Sequence, residues 1–255
     1  MEQLKKDYHL VWSDEFDYEG VPDPQKWNYD LGNHQWANGE LQAYTDRREN
    51  VRVENGRLVI QAVKEKDGER DYTSARLTTY GRQSWQYGLF EFRVKLPEGK
   101  GSWPAVWMLP DIIRTGTPWP LCGEIDIIEY IGRKLDQLFF SLHSEKHNHT
   151  RKDTKQYTVF RDFPGISQGY HDYHLEWTPE YFEFYVDGVS ACRFHKSDDM
   201  EDQTASAWPF DQPFYLILNI AVGGSLGGEV EEERLPFIME VEHVRVYQKN
   251  STENN

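Results

Sequence analysis

The feature that most constrains the fold is an alternation of apolar and polar residues with a period of two, which recurs along the chain. It is clearest in three runs, RLVIQAV (57–63), GLFEFRVKL (88–96) and YFEFYVDG (181–188). Successive side chains of a strand point to opposite faces of a sheet, so each run predicts a strand with one buried face. The residues expected on the buried faces are Leu58, Ile60 and Ala62, Phe90, Phe92 and Val94, and Phe182, Phe184 and Val186.

Turn residues separate the alternating runs. Asn55-Gly56 and Asp187-Gly188 each lie between two such runs and predict tight hairpins, because these residue types tolerate the left-handed backbone that such turns require. Helical periodicity is weak throughout the chain. Many short strands without intervening helices predict an all-β fold, a sandwich of two antiparallel sheets of jelly-roll type.

No internal repeat, low-complexity segment or linker divides the 255 residues, a length that suits one large all-β domain. The first strand candidate, HLVWSDEFD (9–17), and the last, MEVEHVRVYQ (239–248), can belong to the same sandwich. We therefore expect a single domain over residues 1–255, with a disordered tail at 249–255.

Charge and composition limit the partners. The formal net charge is −15, with 43 acidic against 28 basic residues, which opposes binding to nucleic acid or to anionic membranes. No run of 18 apolar residues is present, so no membrane span is expected. A neutral or cationic partner fits better. The nine tryptophans exceed the needs of a core of this size, and we expect about half of them to be available for stacking on flat apolar faces such as sugars.

The N-terminal and cysteine features bear on the compartment. The start, MEQLKKDYHLVW, has no apolar stretch followed by a cleavage site, so it does not read as a secretory signal. We expect an intracellular protein if the chain is complete, and a secreted one if a signal was trimmed. Cys122 and Cys192 are too few for a disulfide framework or a metal cage and predict two buried free thiols.

The segment GEIDIIEYIG (123–132) carries three carboxylates, Glu124, Asp126 and Glu129, among isoleucines. In a regular strand Glu129 would face away from the other two. A β-bulge within Ile127-Ile128 would insert one extra residue and bring all three acids to one face. The carboxyl groups of the two glutamates could then approach to ~5–5.5 Å, the separation of the nucleophile and the acid in retaining glycosidases.

In this arrangement Asp126 would tune the pKa of a neighbouring glutamate, because three acids so close together cannot all ionise freely. The alternative is a calcium site or a solvated acidic strand. The surrounding isoleucines oppose a water-facing edge, and calcium ligands normally come from a loop, so catalysis is favoured.

The pattern Glu-x-Asp-x-x-Glu in GEIDIIE resembles the active-site segment of glycoside hydrolase family 16, in its laminarinase (endo-1,3-β-glucanase) branch. Further segments that resemble the family extend the likeness from about residue 8 to residue 248. They include GSWPAVWMLP, WPLCG, FFSLH, ELQAYT, TSARLTTYGR, YHLEWTPEYFEFYVDG and WPFDQPFYLILNIAVGG. The resemblance implies a β-jelly roll whose concave sheet forms an open substrate cleft.

The resemblance also orders the acids. It implies that Glu124 is the nucleophile, that Glu129 is the acid/base and that Asp126 assists, in a double-displacement hydrolysis of 1,3-β-glucosidic bonds in laminarin-type glucans. Relatives that cut mixed-linkage glucan usually have one residue fewer in this motif and no bulge. The extra isoleucine therefore favours the laminarinase branch.

Five residues are expected to bind the substrate. Trp103 and Trp107 share one face of the strand GSWPAVWML, so their indoles could stack on or wall consecutive sugars, with core packing as the alternative. By resemblance Trp119 and His143 line the cleft near the scissile bond. Asn38 matches a family position that contacts sugar hydroxyls, with a role in a turn as the alternative.

The resemblance further implies a structural calcium ion on the convex side. The corresponding positions are Glu15, the Gly56 carbonyl and Glu242, where the family commonly has Asp at the last position. Catalysis with two carboxylates requires no metal and no other cofactor.

We expect a monomer that acts on β-glucan polysaccharide. The alternatives are a mixed-linkage 1,3-1,4-β-glucanase or a transglycosylase on the same site, and a catalytically silent β-glucan-binding jelly roll. The intact set of three acids favours the enzyme over the binding protein. Relatives that cut sulfated galactans share the acid motif, but a negatively charged surround suits such polymers poorly.

Overall fold

The computed structural model of the chain describes residues 1–34 and 36–250. Within these residues, 17 strands and two four-residue α-helices, α1 (Glu2–Lys5) and α2 (Gly224–Gly227), are present, with 3₁₀ turns at Ala37–Gly39, Asp111–Thr115, Met200–Asp202 and Glu232–Arg234. The strands are β1 (Tyr8–Asp14), β2 (Asn28–Tyr29), β3 (Gln42–Tyr44), β4 (Val51–Glu54), β5 (Arg57–Asp67), β6 (Arg70–Ser74), β7 (Arg76–Thr78), β8 (Gly88–Lys95), β9 (Ser102–Pro110), β10 (Glu124–Tyr130), β11 (Gln137–His143), β12 (Tyr157–Asp162), β13 (Tyr170–Trp177), β14 (Tyr181–Val186), β15 (Val189–His195), β16 (Phe214–Val222) and β17 (Phe237–Lys249).

The strands form two sheets packed face to face. The larger has ten strands in the order β15-β14-β13-β8-β17-β5-β6-β3, with β1 paired to β17 and β4 paired to β5. The smaller has seven strands in the order β12-β11-β10-β9-β16-β7-β2. The strand pairs are antiparallel apart from the parallel pair β3 and β6. The predicted all-β jelly-roll sandwich of two sheets is confirmed.

Both predicted hairpin turns are present. Asn55 and Gly56 join β4 to β5 with positive φ of 54° and 73°, and Asp187 and Gly188 join β14 to β15 with 49° and 77°. Positive φ at both central positions matches the twist of the flanking strands. The nine apolar residues predicted for the buried faces of β5, β8 and β14 all lie in the core.

The core between the sheets is rich in aromatic side chains. Four of the nine tryptophans, Trp27, Trp85, Trp177 and Trp208, belong to the main hydrophobic cluster. This agrees with the expectation that about half serve the core. Both cysteines are buried and free, as predicted.

The first and last strands pair with each other. In the register of β1 and β17, Tyr8 lies opposite Lys249. The expected disorder from residue 249 onward is wrong for two residues, because Lys249 ends β17 and the Asn250 amide donates a hydrogen bond to the Asp7 carbonyl at 2.8 Å. Residues 251–255 lie outside the described residues. No helix among the described residues is long and apolar enough to cross a membrane.

The predicted bulge in β10 is present. On one side Asp126 pairs with Trp107 and Ile128 with Val106, so that Ile127 has no partner of its own. On the other side the register between β10 and β11 shifts between Asp126 and Glu129. Ile127 and Ile128 are both buried in the core, which turns Glu129 back to the outer face of the sheet.

We expect deletion of Ile127 to leave a folded protein. The deletion restores regular alternation and keeps the three acids on one face, so the main loss is one buried side chain, worth about 3 kcal/mol. Deletion of Ile125 is the matched control, because it places Glu124 and Asp126 on opposite faces and drives one carboxylate toward the core, which costs several kcal/mol more. Urea unfolding followed by tryptophan fluorescence measures both. Equal losses for the two deletions would contradict the bulge as the element that sets the register.

Candidate active site

The three acids lie on the outer face of the seven-stranded sheet, in a cleft. Glu124, Asp126 and Glu129 all line it, while Ile125 on the opposite face of β10 is buried in the core. Trp103, Ala105 and Trp107 of the neighbouring β9 line the same cleft. The predicted sharing of one strand face by these residues is thereby confirmed.

The Trp103 side chain is held in place by a hydrogen bond and by packing. Its indole Nε1 donates a hydrogen bond to Glu129 Oε1 at 3.0 Å. Trp103 is 9% exposed and packs against Ile131, Phe139 and Ala221. Trp103 therefore packs in a small apolar cluster, which is the core-packing alternative considered from the sequence, and it also holds one of the acids by a hydrogen bond.

His143, the last residue of β11, faces the other two acids. Its Nε2 lies 3.2 Å from Asp126 Oδ2 and 3.8 Å from Glu124 Oε1. The residue is 7% exposed, and its Nδ1 is buried without a hydrogen-bond partner. Strand pairing sets this placement, because Glu124 and His143 are directly opposite each other in the register of β10 and β11.

Burial raises the pKa of all three acids above the usual carboxyl range. For Glu124 and Glu129 the negative charge of Asp126 adds to the effect of burial. The charge of Glu129 also raises the pKa of Glu124. His143 lowers the pKa of both glutamates, and the hydrogen bond from Trp103 lowers that of Glu129. Each of the three groups therefore favours its neutral form more strongly than an ordinary carboxyl group does.

Trp107 is fixed at both its edge and its face. Its Nε1 donates to Asn219 Oδ1 at 2.7 Å, and the guanidinium of Arg76 lies 4.6 Å from its ring centroid. Arg76 also lies 5.2 Å from the ring of Trp36, so it is held between two indoles. A cation held against aromatic faces in this way stabilises the wall of the cleft.

A buried polar network continues behind Trp107. Asn219 Nδ2 donates to the hydroxyl of Tyr44 at 3.0 Å, and that hydroxyl donates to Glu40 Oε2 at 3.3 Å. Gln42 Nε2 donates to the same Glu40 oxygen at 2.7 Å. Burial raises the pKa of Glu40, and the hydrogen bond from Gln42 opposes that rise. The network connects β3 of the larger sheet to β16 of the cleft sheet.

The remaining predicted binding residues also reach the cleft. Asn38 lies in the 3₁₀ turn Ala37–Gly39 with a positive φ of 64°, so it both forms the turn and lines the cleft. The ring of Trp119 lies 6.2 Å from that of His143 and 5.3 Å from that of His149. All five predicted binding residues thus come together around the acids.

The cleft continues on both sides of the acids. Two adjoining cavities, of about 210 and 320 Å³, share Asn38, Trp103, His149 and the three acids. One extends toward Trp36, Arg76, Trp107 and Asn219, and the other toward Arg133, Lys134, Phe139 and Phe160. An elongated ligand could therefore lie across the acids.

Several residues of the cleft were not singled out from the sequence, among them Arg76, Asn219, Glu40 and His149. Asn219 interrupts the otherwise apolar strand FYLILNIAV, and Arg76 begins the short strand β7. Strand alternation could have assigned both to the outer face. Glu40 offers a weaker signal as an acid beside a short strand. His149 lies in the connection between β11 and β12, where no periodicity applies, and no sequence pattern marks it.

The residues expected to hold calcium do not fit that ion in this structure. Glu15 accepts from Arg245 at 2.9 and 2.7 Å through both carboxylate oxygens, and Glu242 accepts from Arg93 Nε at 2.7 Å. Gly56 lies in the hairpin turn between β4 and β5. Guanidinium groups therefore pair with both oxygens of Glu15 and with one oxygen of Glu242, which a cation would need.

Comparison with known proteins agrees with the geometry of the cleft. The sequence model described as glycosyl hydrolases family 16 matches residues 33–245. The beta-glucanase of Rhodothermus marinus is 48% identical over 246 residues, which cover 94% of this chain and 85% of that protein. The glucan endo-1,3-beta-glucosidase of Cryptopygus antarcticus is 40% identical over 232 residues, which cover 86% of this chain and 83% of that protein.

A solved structure is similar over nearly the same length. The X-ray structure of the laminarinase from Rhodothermus marinus matches with a TM-score of 0.90 and 46% sequence identity. The match covers 95% of this chain and 98% of that chain.

We expect Glu129→Gln to increase stability at alkaline pH. A raised pKa means that the folded state binds more protons than the unfolded state between the ordinary carboxyl range and about 8. The free energy of unfolding of the unsubstituted protein therefore falls as pH rises through this window, and the variant escapes part of that fall. Below about pH 4 the two proteins should differ little. Melting temperatures measured across this pH range test the expectation.

Glu91→Gln is the matched control, with the opposite sign. Burial opposes ionisation of Glu91, but hydrogen bonds from His243 and Lys5 outweigh it and hold the pKa of this carboxyl well below its usual range. Its ionised form stabilises the fold above the unfolded-state pKa, so Glu91→Gln should lose stability at neutral pH and the loss should shrink on acidification. Parallel pH profiles for the two variants would contradict the assigned shifts.

Proposed function

Because the chain belongs to family 16 of the glycosyl hydrolases, we propose that it is a retaining endo-1,3-β-glucanase that hydrolyses laminarin-type glucans. The observation that carries this proposal is the bulged strand β10, which brings Glu124, Asp126 and Glu129 to one face inside a cleft. Two carboxylates across a glycosidic bond suffice for double displacement. The names of the similar proteins, beta-glucanase, glucan endo-1,3-beta-glucosidase and laminarinase, support the substrate class.

In the first step Glu124 attacks the anomeric carbon and Glu129 protonates the leaving oxygen. The family resemblance assigns this order, since spacing alone leaves the two glutamates equivalent. A glycosyl ester of Glu124 forms, the glycosidic bond breaks, and the proton of Glu129 leaves with the departing sugar. The hydrogen bond from Trp103 Nε1 to Glu129 stabilises the carboxylate that this step produces.

In the second step Glu129 accepts a proton from water, whose oxygen attacks the anomeric carbon and releases Glu124. The electrostatic coupling between the two glutamates suits this exchange. Esterification removes the charge of Glu124, so ionisation of Glu129 is no longer opposed by it. One carboxylate is thus ionised and the other is not at each stage of the reaction.

Asp126 and His143 act as positioning residues in this proposal. Asp126 lies between the two glutamates in sequence, and its charge raises the pKa of both. The contact of 3.2 Å from His143 Nε2 holds Asp126 on the side of the cleft where Glu124 lies. Asp126→Asn should therefore slow the reaction without abolishing it.

The shape of the cleft supports internal cleavage of a polymer. Cavities on both sides of the acids allow sugar units on either side of the scissile bond. Trp107 and Trp119 offer aromatic surfaces, and Asn38 offers an amide for sugar hydroxyls. We further propose that a monomer suffices, because described residues of one chain supply all of these side chains, and that catalysis needs no metal.

We expect laminarin to be hydrolysed faster than lichenan or agarose, with retention of anomeric configuration. Double displacement inverts the anomeric carbon twice, so the β-anomer must appear first. Product analysis on the three polysaccharides measures the preference, and proton NMR of the first laminarin product measures the stereochemistry. Early appearance of the α-anomer would exclude the mechanism. Faster cleavage of lichenan would instead reassign the linkage preference and leave the mechanism intact.

Alanine substitutions should separate the roles of the two glutamates. Glu124→Ala should not hydrolyse glucan but should form glycosidic bonds from an α-glycosyl fluoride, which replaces the missing intermediate. Glu129→Ala should lose about 10²–10⁴-fold on glucan, retain activity on an aryl glycoside that needs little protonation, and give a β-glycosyl azide when azide is added. Formation of the β-azide by Glu124→Ala instead would reverse the assignment.

A further inference from the structure

We propose that Glu124, Asp126 and His143 also form a binding site for a divalent transition-metal ion such as Zn²⁺, and that an ion bound there blocks the cleft. Binding of the ion is independent of the proposed function, whereas the block of hydrolysis rests on it. Among the described residues, this is one set of three whose ligand atoms all lie within 4.8 Å of one another.

The spacing of the three donors matches a small ion. With metal–nitrogen and metal–oxygen distances of about 2.0–2.2 Å, the ligand atoms of a tetrahedral zinc site lie ~3.4 Å apart. His143 Nε2 lies 3.2 Å from Asp126 Oδ2 and 3.8 Å from Glu124 Oε1. These two edges fit such a tetrahedron with shifts of a few tenths of an ångström. The third edge, between the carboxylates of Glu124 and Asp126, is within 4.8 Å and would shorten by rotation of these side chains.

The two carboxylates contact His143 but pair with no lysine or arginine among the described residues. Glu15 and Glu242 on the other sheet, in contrast, each form an ion pair with an arginine. His143 is more than nine-tenths buried, and its Nδ1 has no hydrogen-bond partner to determine which ring nitrogen carries the proton. Its Nε2 can therefore present a lone pair to an ion between the two carboxylates.

The type of donor indicates which ions would bind. One imidazole with two carboxylates favours zinc, copper or cobalt, because calcium and magnesium prefer shells made of oxygen alone. Three protein ligands leave a fourth position open to water. An ion at this place would engage Glu124, the proposed nucleophile, so that its oxygen could not attack a sugar. The site is accordingly inhibitory and not catalytic.

Direct titration of the tag-free protein with ZnCl₂ in a calorimeter, without substrate, tests the proposal. We expect one ion per chain, and we expect Glu124→Gln and His143→Gln each to raise the Kd at least tenfold. Glu129→Gln removes the same charge from the same cleft without removing a ligand, and His195→Gln removes an exposed histidine at the end of β15. Both controls should change the Kd less than threefold. Melting curves establish that each variant is folded. If His143→Gln does not fold, Glu124→Gln alone is enough to test the site.

Three outcomes would overturn the proposal. An unchanged Kd in Glu124→Gln would remove the site from the cleft. An equal loss in Glu129→Gln would indicate a diffuse attraction to negative charge. Binding of CaCl₂ as tight as that of ZnCl₂ would exclude the imidazole as a ligand. Co²⁺ provides a spectroscopic check, because a visible absorption band typical of tetrahedral coordination should appear with the unsubstituted protein and with Glu129→Gln, and not with His143→Gln.

Discussion

Much of this structure depends on how β10 places three consecutive residues, Ile127, Ile128 and Glu129. Ile127 and Ile128 both need the core, and a regular strand can bury only one of two neighbours. The bulge buries both and turns Glu129 to the face that carries Glu124 and Asp126. The extra residue of the bulge, Ile127, is therefore buried in the core and at the same time places the three acids on one face. Their spacing is consequently anchored by packing between the sheets and not by a surface loop, which suits groups that must stay aligned during catalysis.

The acids are assembled at a cost in stability that other parts of the sandwich offset. Burial and mutual repulsion raise the pKa of Glu124 and Glu129, so the folded state resists the ionisation that the unfolded chain undergoes freely. Beneath them, the isoleucines of β10 belong to the main hydrophobic cluster of the core. Active sites commonly combine a strained constellation with a rigid support in this way. Trp103 contributes to both the constellation and its support, because it packs in an apolar cluster and also donates a hydrogen bond to Glu129.

Much of the architecture could be predicted from the sequence because it depends on local rules. Alternation places Phe90 and Phe92 in the core, and turn chemistry places the hairpin at Asp187-Gly188. Even the bulge follows from the spacing of three acids. The remainder depends on long-range pairing. The indole of Trp103 meets Glu129 only because β9 and β10 pair in one register, and His149 comes from a connection whose path no periodicity reveals. The paired carboxylates of the other sheet were likewise beyond prediction, because the partner of Glu15 is 230 residues away in the chain.

The difference between the acids of the two sheets lies in their partners. Glu91 is about as buried as Asp126, yet hydrogen bonds and nearby cations hold its pKa below the usual range, whereas burial raises the pKa of Asp126. A carboxylate paired with a cation stabilises the fold but is unreactive, since its charge is already engaged. An unpaired carboxylate can attack, accept a proton or bind an ion. Among the described residues no arginine or lysine forms an ion pair with Glu124 or Asp126. The reactivity of these two carboxylates follows from that, and the same feature leaves the cleft open to a metal ion.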